Sequence, residues 1–254
     1  MGVLNITPDS FSDGGRFVTV EAAVAHGVEL FAEGAAVVDV GGESTRPGAE
    51  PVDPVEELRR VLPVVEALAD HGRVSIDTRH DVVARMAVGA GASLINDVSA
   101  TLWSVAAELG VGWVAMHMLG DPRTMQANPH YDDVVGEVTA FLHDRASQAA
   151  AAGVSEVWID PGIGFGKSVE HNLALLANLD RLVALGFPVL VGTSRKAFLG
   201  RLSAEADGRD EPTPTDDRLE GSLATATAAF ALGAAMVRAH EVRPCVEAAR
   251  VVAA

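Results

Sequence analysis

Residues 36–48 read Ala-Val-Val-Asp-Val-Gly-Gly-Glu-Ser-Thr-Arg-Pro-Gly. A short β-rich run, 36–40, breaks at two glycines into a polar loop. The same transition recurs along the chain. Strand-like runs are predicted at 2–6, 36–40, 73–76, 93–95, 112–116, 156–159, 188–191 and 235–237. Segments with helical spacing separate them, among them 20–32, 54–69, 132–151 and 218–232. Eight β-α alternations in about 250 residues predict an α/β fold, a closed (β/α)8 barrel in a single domain. A doubly wound open sheet is the second choice. The stretch 201–217 is polar and holds prolines, and reads as a long surface loop. The apolar stretch 221–237 is rich in Ala and Thr and reads as a buried helix and a strand, not a membrane span.

Composition narrows the function. The chain of 254 residues is 48% hydrophobic and carries 19 basic against 35 acidic residues, a net charge of −16. A basic face for nucleic acid is not expected on such a chain. The single cysteine, Cys245, excludes an internal disulfide and a cysteine metal cluster, and fits a reducing compartment. The first 30 residues lack a basic segment before an apolar run, which argues against a secretory signal and for a cytoplasmic protein. Only two basic residues are lysines, Lys167 and Lys196. They are expected where a compact ammonium is needed.

Every predicted strand delivers a polar residue at its C-terminal end: Asn5, Asp39, Asp77, Asn96 with Asp97, His117, Asp160, the run Ser194-Arg195-Lys196, and Arg238 with His240. In a barrel these ends converge on the face that carries chemistry. Asp or Asn after a strand often caps the next helix, but caps do not explain Lys196, Arg238 and His240. Two zones follow from residue type. Asp77, Asn96, Asp160 and Lys196 suit the edges of a flat polar heterocycle, and Asn5, Arg46, Arg238 and His240 suit a phosphate, with Mg²⁺ as a helpful counter-ion. Arg238 and His240 are two residues apart on one strand and point to one side. Lys196 has two readings, a Schiff-base nucleophile or a cationic hydrogen-bond donor.

Other segments are weaker. Residues 7–15, Thr-Pro-Asp-Ser-Phe-Ser-Asp-Gly-Gly, read as a loop whose apolar tip, Phe11, closes over a ligand. Residues 161–168 approach a nucleotide phosphate loop, but Pro161 stands where the motif needs its first glycine. Those glycines are expected to let backbone and Phe165 approach a flat ligand. The histidines show no pair four apart on a helix and so no zinc signature. His117 reads as a satisfied strand-end residue.

Residues 4–15 (Leu-Asn-Ile-Thr-Pro-Asp-Ser-Phe-Ser-Asp-Gly-Gly) and 38–48 (Val-Asp-Val-Gly-Gly-Glu-Ser-Thr-Arg-Pro-Gly) resemble the two signature segments of the dihydropteroate synthases, a family of pterin-binding enzymes. Residues 75–78, 96–99, 160–167, 194–196 and 238–240 continue the resemblance in order. It implies one pterin-binding TIM-barrel domain over 1–254. The activity implied is a transferase of folate biosynthesis, a sulfonamide target. It joins (7,8-dihydropterin-6-yl)methyl diphosphate to 4-aminobenzoate. By that resemblance Asp77, Asn96, Met116, Asp160, Phe165, Gly192 and Lys196 hold the pterin, and Thr45, Arg46, Arg238 and His240 the diphosphate. Phe11, Thr45, Pro47, Ser194 and Arg195 shape the aminobenzoate site, and Asn5 binds Mg²⁺. Lys196, Arg238, His240 and Asp77 are the expected catalytic group. The resemblance also implies a homodimer that binds neither nucleic acid nor membrane.

The chain departs from the resemblance at Glu241, where many members carry Asp, and at Ala197, where an altered aminobenzoate rim is expected. It also opens almost inside strand one, where relatives have a short lead-in, so a looser barrel floor is expected. A pterin-dependent methyltransferase domain, a Schiff-base aldolase and a catalytically silent pterin-binding paralogue are the rival readings.

Overall fold

The computed structural model describes residues 1–7, 19–44 and 48–254. The expected loop tip Phe11 and the expected ligands Thr45, Arg46 and Pro47 lie outside the described residues. Eight parallel strands appear: β1 (Gly2–Asn5), β2 (Val38–Gly41), β3 (Val74–Asp77), β4 (Leu94–Asp97), β5 (Gly112–Met116), β6 (Val157–Asp160), β7 (Leu190–Val191) and β8 (Met236–Val237). The first six pair in chain order, and β7 pairs with β8. Single bridges Ile159–Val189 and Gly2–Ala239 join the two sheets at both seams. At the second seam Val3 N–H donates to Ala239 O and Ala239 N–H to Met1 O, each at 3.0 Å. The ring is therefore closed, and the open-sheet alternative fails.

The helices follow the strands: α1 (Val20–Ala32), α2 (Pro54–Ala69), α3 (Asp81–Gly89), α4 (Trp103–Leu109), α5 (Val134–Ala151), α6 (Val169–Ala177), α7 (Leu179–Val183), α8 (Ala197–Ala206), α9 (Leu219–Ala231) and α10 (Val242–Val252). Local sequence explains their starts. Asp53 accepts the Val55 N–H and precedes Pro54, whose missing N–H would have had no partner in the first turn. Thr19 Oγ1 accepts from Ala22 N–H ahead of α1. Burial explains their faces. On α2 the buried residues Val61, Val64, Val65 and Leu68 recur at three and four, the stripe a helix lays on a sheet.

The two-residue period of the strands sorts side chains into two compartments. Leu4, Val38, Val40, Ile76 and Ile95 face outward into the main core beneath the helices. Met1, Val37, Leu94, Val114 and Leu190 form a second, separate cluster that plugs the barrel interior. Most of the inward residues toward the strand ends are polar, and there the site lies.

One expectation is corrected. The stretch 201–217 is not loop throughout, because α8 continues to Ala206. Phe198, Leu199 and Ala204 are buried on it and Leu202 packs against the core. This helical stripe was hidden by the polar residues between. The rest, 207–217, is held down by Arg218, whose Nε and Nη2 donate to Thr213 O at 2.8 and 2.6 Å. Among the described residues no helix is long and apolar enough to cross a membrane.

Asp97, at the end of β4, serves the fold. Fully buried, it accepts from Ser99 N–H at 2.9 Å, from Thr101 and Leu102 N–H at 2.7 Å each, and from the Trp113 indole at 3.2 Å. It thereby fixes the turn into α4 against the largest fully buried side chain. Replacing Asp97 by Ala strands these donors in the core, and should cost about 3–5 kcal/mol. Urea unfolding should show that loss together with an altered Trp113 environment in fluorescence; a change under 1 kcal/mol would refute this role.

Candidate active site

The strand ends build the site rung by rung. Asn5, Gly41, Asp77 and Asn96 are partners across β1 to β4, so their side-chain positions form one row at the barrel mouth. Asn96 itself pairs with Val114, so Met116 and Asp160, partners across β5 and β6, lie two residues further toward the mouth. Past β7 come Gly192, Ser194 and Lys196, and past β8 Arg238 and His240. All of these except Gly41 line one cavity of about 570 Å³. The barrel thus brings together every expected site residue that it describes.

The segment 161–168 forms the wall beside Asp160. Gly162 lies at φ +64°, and a Cβ there would sit 1.9 Å from the His117 carbonyl oxygen. Gly164 lies at φ +84°, against the Lys196 side chain. Lys167 explains how the segment holds its shape. Its buried ammonium shares three N–H donors among four acceptors, the carbonyls of Gly162 and Phe165 and His117 Nδ1 at 3.0 Å each and the His117 carbonyl at 3.3 Å. The lysine that gave the segment its phosphate-loop appearance is a pin for the loop itself. The contact also keeps His117 neutral: burial first, then the Lys167 charge, push its pKa down to about 3. Phe165, at the loop tip, supports Lys196, whose Nζ stands 3.9 Å from the ring centroid in a cation–π contact.

The two zones expected from sequence meet in the structure. Arg238 donates through Nε to Asp39 at 2.6 Å and through Nη2 to Asp77 at 2.8 Å. Asp77, expected with the heterocycle, is thus also a partner of the phosphate-zone arginine. Ser194 Oγ is 2.9 Å from His240 Nδ1 and accepts the His240 N–H at 3.2 Å. Arg195 pairs with Glu241, Nε to Oε1 at 2.7 Å. Arg195 adopts φ +59°, unusual for a side chain of this size, and both its peptide groups are held: its N–H by Ser222 Oγ and its carbonyl by Arg218. Glu241, expected as a departure from the family pattern, is thus the ionic partner of Arg195.

Burial sets the charge states. Asp160 accepts the Gly162 N–H at 2.7 Å, yet burial outweighs that bond and raises its pKa to about 6. Burial likewise raises Asp77 to about 7, against the pull of Arg238. It lowers Lys196 to about 8, helped by the Arg238 charge and opposed by Asp160 and Asp77. Arg238 goes the other way: burial opposes its charge, but Asp39 and Asp77 prevail. An arrangement with ionisable groups held near neutrality accepts a polar ligand that supplies complementary donors and acceptors.

Sequence reading missed three contributors. Asp39 was noted only as a strand end; an acid inside a valine run is the signal that it must have a buried partner. Lys167 stands where a compact ammonium is needed, as its rarity implies, but its role as a pin for segment 161–168 has no sign in the sequence. Asn172, on α6, donates to Ser168 O and accepts the Gly164 N–H, each at 2.7 Å. Nothing in its surroundings in sequence marks it.

Asp160 yields a pH prediction for the ligand-free protein. Its native pKa of about 6 lies above the 3.8 of an ordinary aspartate, so the native chain holds this proton longer than the unfolded chain. The stability this provides is complete below about pH 4 and is lost as pH rises through 6. Asp160→Asn should therefore match the unaltered chain near pH 4 and exceed it by on the order of 2 kcal/mol above pH 6. Urea unfolding across this range tests it; a difference independent of pH would refute it.

The model of the pterin binding enzyme family matches residues 1–240. The dihydropteroate synthase of Mycobacterium leprae is 51% identical, over all of this chain and 92% of its own. That of Escherichia coli K12 is 44% identical over all of this chain and 90% of its own. Yersinia pestis dihydropteroate synthase, solved with a sulfonamide drug complex, superposes with a TM-score of 0.91 at 41% identity, covering 99% of this chain and 92% of that one. The Xanthomonas albilineans enzyme solved with 4-aminobenzoic acid gives 0.89 at 48% identity, covering 98% and 90%. The same organism's enzyme, solved in complex with 7,8-dihydropteroate, gives 0.85 at 46% identity over the same shares. With its barrel, its polar strand ends and likenesses that run the length of the chain, the protein belongs to the pterin-binding enzyme family, among the dihydropteroate synthases.

Proposed function

We propose that the cavity joins (7,8-dihydropterin-6-yl)methyl diphosphate to 4-aminobenzoate, forming 7,8-dihydropteroate and releasing diphosphate, by dissociative substitution. One observation carries this reading. Carboxylates suited to a heterocycle edge and the Arg238–His240 pair suited to an anion open into one cavity, with Lys196 held between them over Phe165. Asp160, Asn96 and Asp77 take the ring's donors, Lys196 gives to a ring acceptor, and Met116, Phe165 and Gly192 line its faces. Arg238 and His240, with Thr45 and Arg46, receive the diphosphate. Phe11, Thr45, Pro47, Ser194 and Arg195 shape the aminobenzoate site.

The C–O bond to the diphosphate breaks first. The departing charge is taken up by Arg238, whose Nη1 has no partner among the described residues, and by His240, oriented through Ser194. The methylene cation is conjugated with the dihydropterin ring. The neutral amine of 4-aminobenzoate then gives its electron pair to that carbon, and the new C–N bond's extra proton passes to solvent. Positioning and electrostatic stabilisation suffice, and no enzyme nucleophile is required.

The residues present fit magnesium. Gly41 has no side chain, and a Cβ there would stand 3.5 Å from Asn5 Oδ1 and 3.6 Å from Asp77 Oδ2, so two hard oxygen donors flank one open position. Asn5 would hold the ion together with the diphosphate, and when bound it supplies charge neutralisation to the leaving group. The same reading carries a homodimer in the cytoplasm.

Two measurements test the proposal. Purified protein with the dihydropterin diphosphate, labelled 4-aminobenzoate and Mg²⁺ should yield labelled dihydropteroate; EDTA and Lys196→Ala should each abolish most of it. Pterin diphosphate binding without product would point to a silent paralogue, and no binding would reject the site. Borohydride added during turnover should leave the protein mass unchanged, since Lys196 acts as a donor. A trapped adduct would establish Schiff-base chemistry instead.

A further inference from the structure

Asp39 is not part of the cavity wall, yet two residues that are part of it hang from one of its oxygens. The side chain has no solvent exposure. It sits in β2 one step below the row of Asn5, Gly41, Asp77 and Asn96, pointing into the barrel between Val3 and Ser75. Its Oδ2 accepts from Asn96 Nδ2 at 2.9 Å and from Arg238 Nε at 2.6 Å. Its Oδ1 is buried without a partner among the described residues. A charge is placed here at a cost, and what the fold receives in return is the arrangement of these two neighbours.

A carboxylate only accepts hydrogen bonds, whereas a side-chain amide has one donating and one accepting end. The contact with Asp39 therefore decides which way the Asn96 amide stands. Its NH₂ group is turned to Asp39, and no described residue takes its Oδ1. Asp160 behaves similarly by another route, since Gly162 N–H occupies its Oδ1 and leaves Oδ2. We infer that Asp39 is a positioning residue that locks Asn96 with its carbonyl toward the ligand, so that Asn96 and Asp160 together present acceptors to a ring edge carrying N–H donors. The inference deepens the proposed function and rests on it. A ring edge bearing carbonyls or unprotonated ring nitrogens at that position would meet oxygen lone pairs on both sides and be rejected. The same Asp39 oxygen also orients the Arg238 fork, so the polarity of the ring edge and the direction of the anion-binding arginine are set from one point.

The test separates the ring from the anion by using 6-hydroxymethyl-7,8-dihydropterin, which has no diphosphate, in calorimetric titrations of the full chain. The unaltered chain should bind it. Asp39→Asn removes the acceptor-only partner and should weaken binding tenfold or more, as should Asn96→Ala. The decisive arm is the double variant. If Asp39 acts on the ring through Asn96, Asp39→Asn should add less than about twofold in the Asn96→Ala background. Losses that multiply would overturn the inference, as would Asp39→Asn binding at the unaltered affinity. Asn96→Asp covers the case in which Asp39→Asn does not fold. It keeps an acceptor toward the ligand, removes the donor to Asp39 and sets a second carboxyl group against it, which turns the side chain away from its position, so it should also lose tenfold; unaltered binding would overturn the inference. Failure of the unaltered chain to bind the pterin at all would overturn the proposed function itself and this inference with it.

Discussion

Arg238 spans the barrel mouth from β8 to Asp39 in β2 and Asp77 at the end of β3, partners 199 and 161 residues away in sequence. Three charges share a space from which water is largely excluded. None is tolerable alone: burial pushes Asp77 toward its neutral form, and burial opposes the charge on Arg238. Asp77 and Arg238 each favour the charged form of the other, and at Arg238 that pull prevails. The geometry that makes the triad possible is closure of the ring, since only a closed barrel brings the last strand back beside the first. Closure in turn hangs on single bridges at the seams and on the apolar plug of Met1, Val37, Leu94, Val114 and Leu190 beneath. The floor is a small hydrophobic core, and above it the same inward-facing positions are released for chemistry.

The site is built against the stability of the empty protein. Asp77, Asp160, Lys167 and Lys196 all have pKa values moved toward their neutral forms, with burial the largest cause in each. Each shift measures a preference of the native chain for the form less common in the unfolded one. A ligand that brings matching donors and acceptors offsets these penalties on binding, and stabilises the fold by mass action as well. Groups that interact weakly with each other and strongly with a ligand are what a site of this kind needs.

The sequence was most legible where local chemistry and fold agree. The helices 20–32 and 54–69 lie where their spacing and caps put them. Polar residues at successive strand ends pointed to a common face because a parallel barrel leaves no other arrangement. Legibility failed where partners are distant. Nothing near Asp39 in sequence says that Asn96 and Arg238 will find it, and nothing near Lys167 says that its charge will be spent on three carbonyls. The helix at 197–206 was hidden because its apolar face is narrow. β7 and β8, two residues each, have almost no strand signal of their own and owe their state to the neighbours that pair with them.

The wall formed by Gly162 and Gly164 has a consequence for how this protein changes under selection. The surface offered at these two positions consists of main-chain atoms, drawn together by Lys167. At position 162 any side chain begins with a carbon 1.9 Å from a carbonyl oxygen, on a backbone that only glycine adopts with ease. An inhibitor gripping a side chain can be evaded by exchanging that side chain. One that draws its affinity from the peptide groups of this segment presses on a contour that the genetic code has almost no means of redrawing.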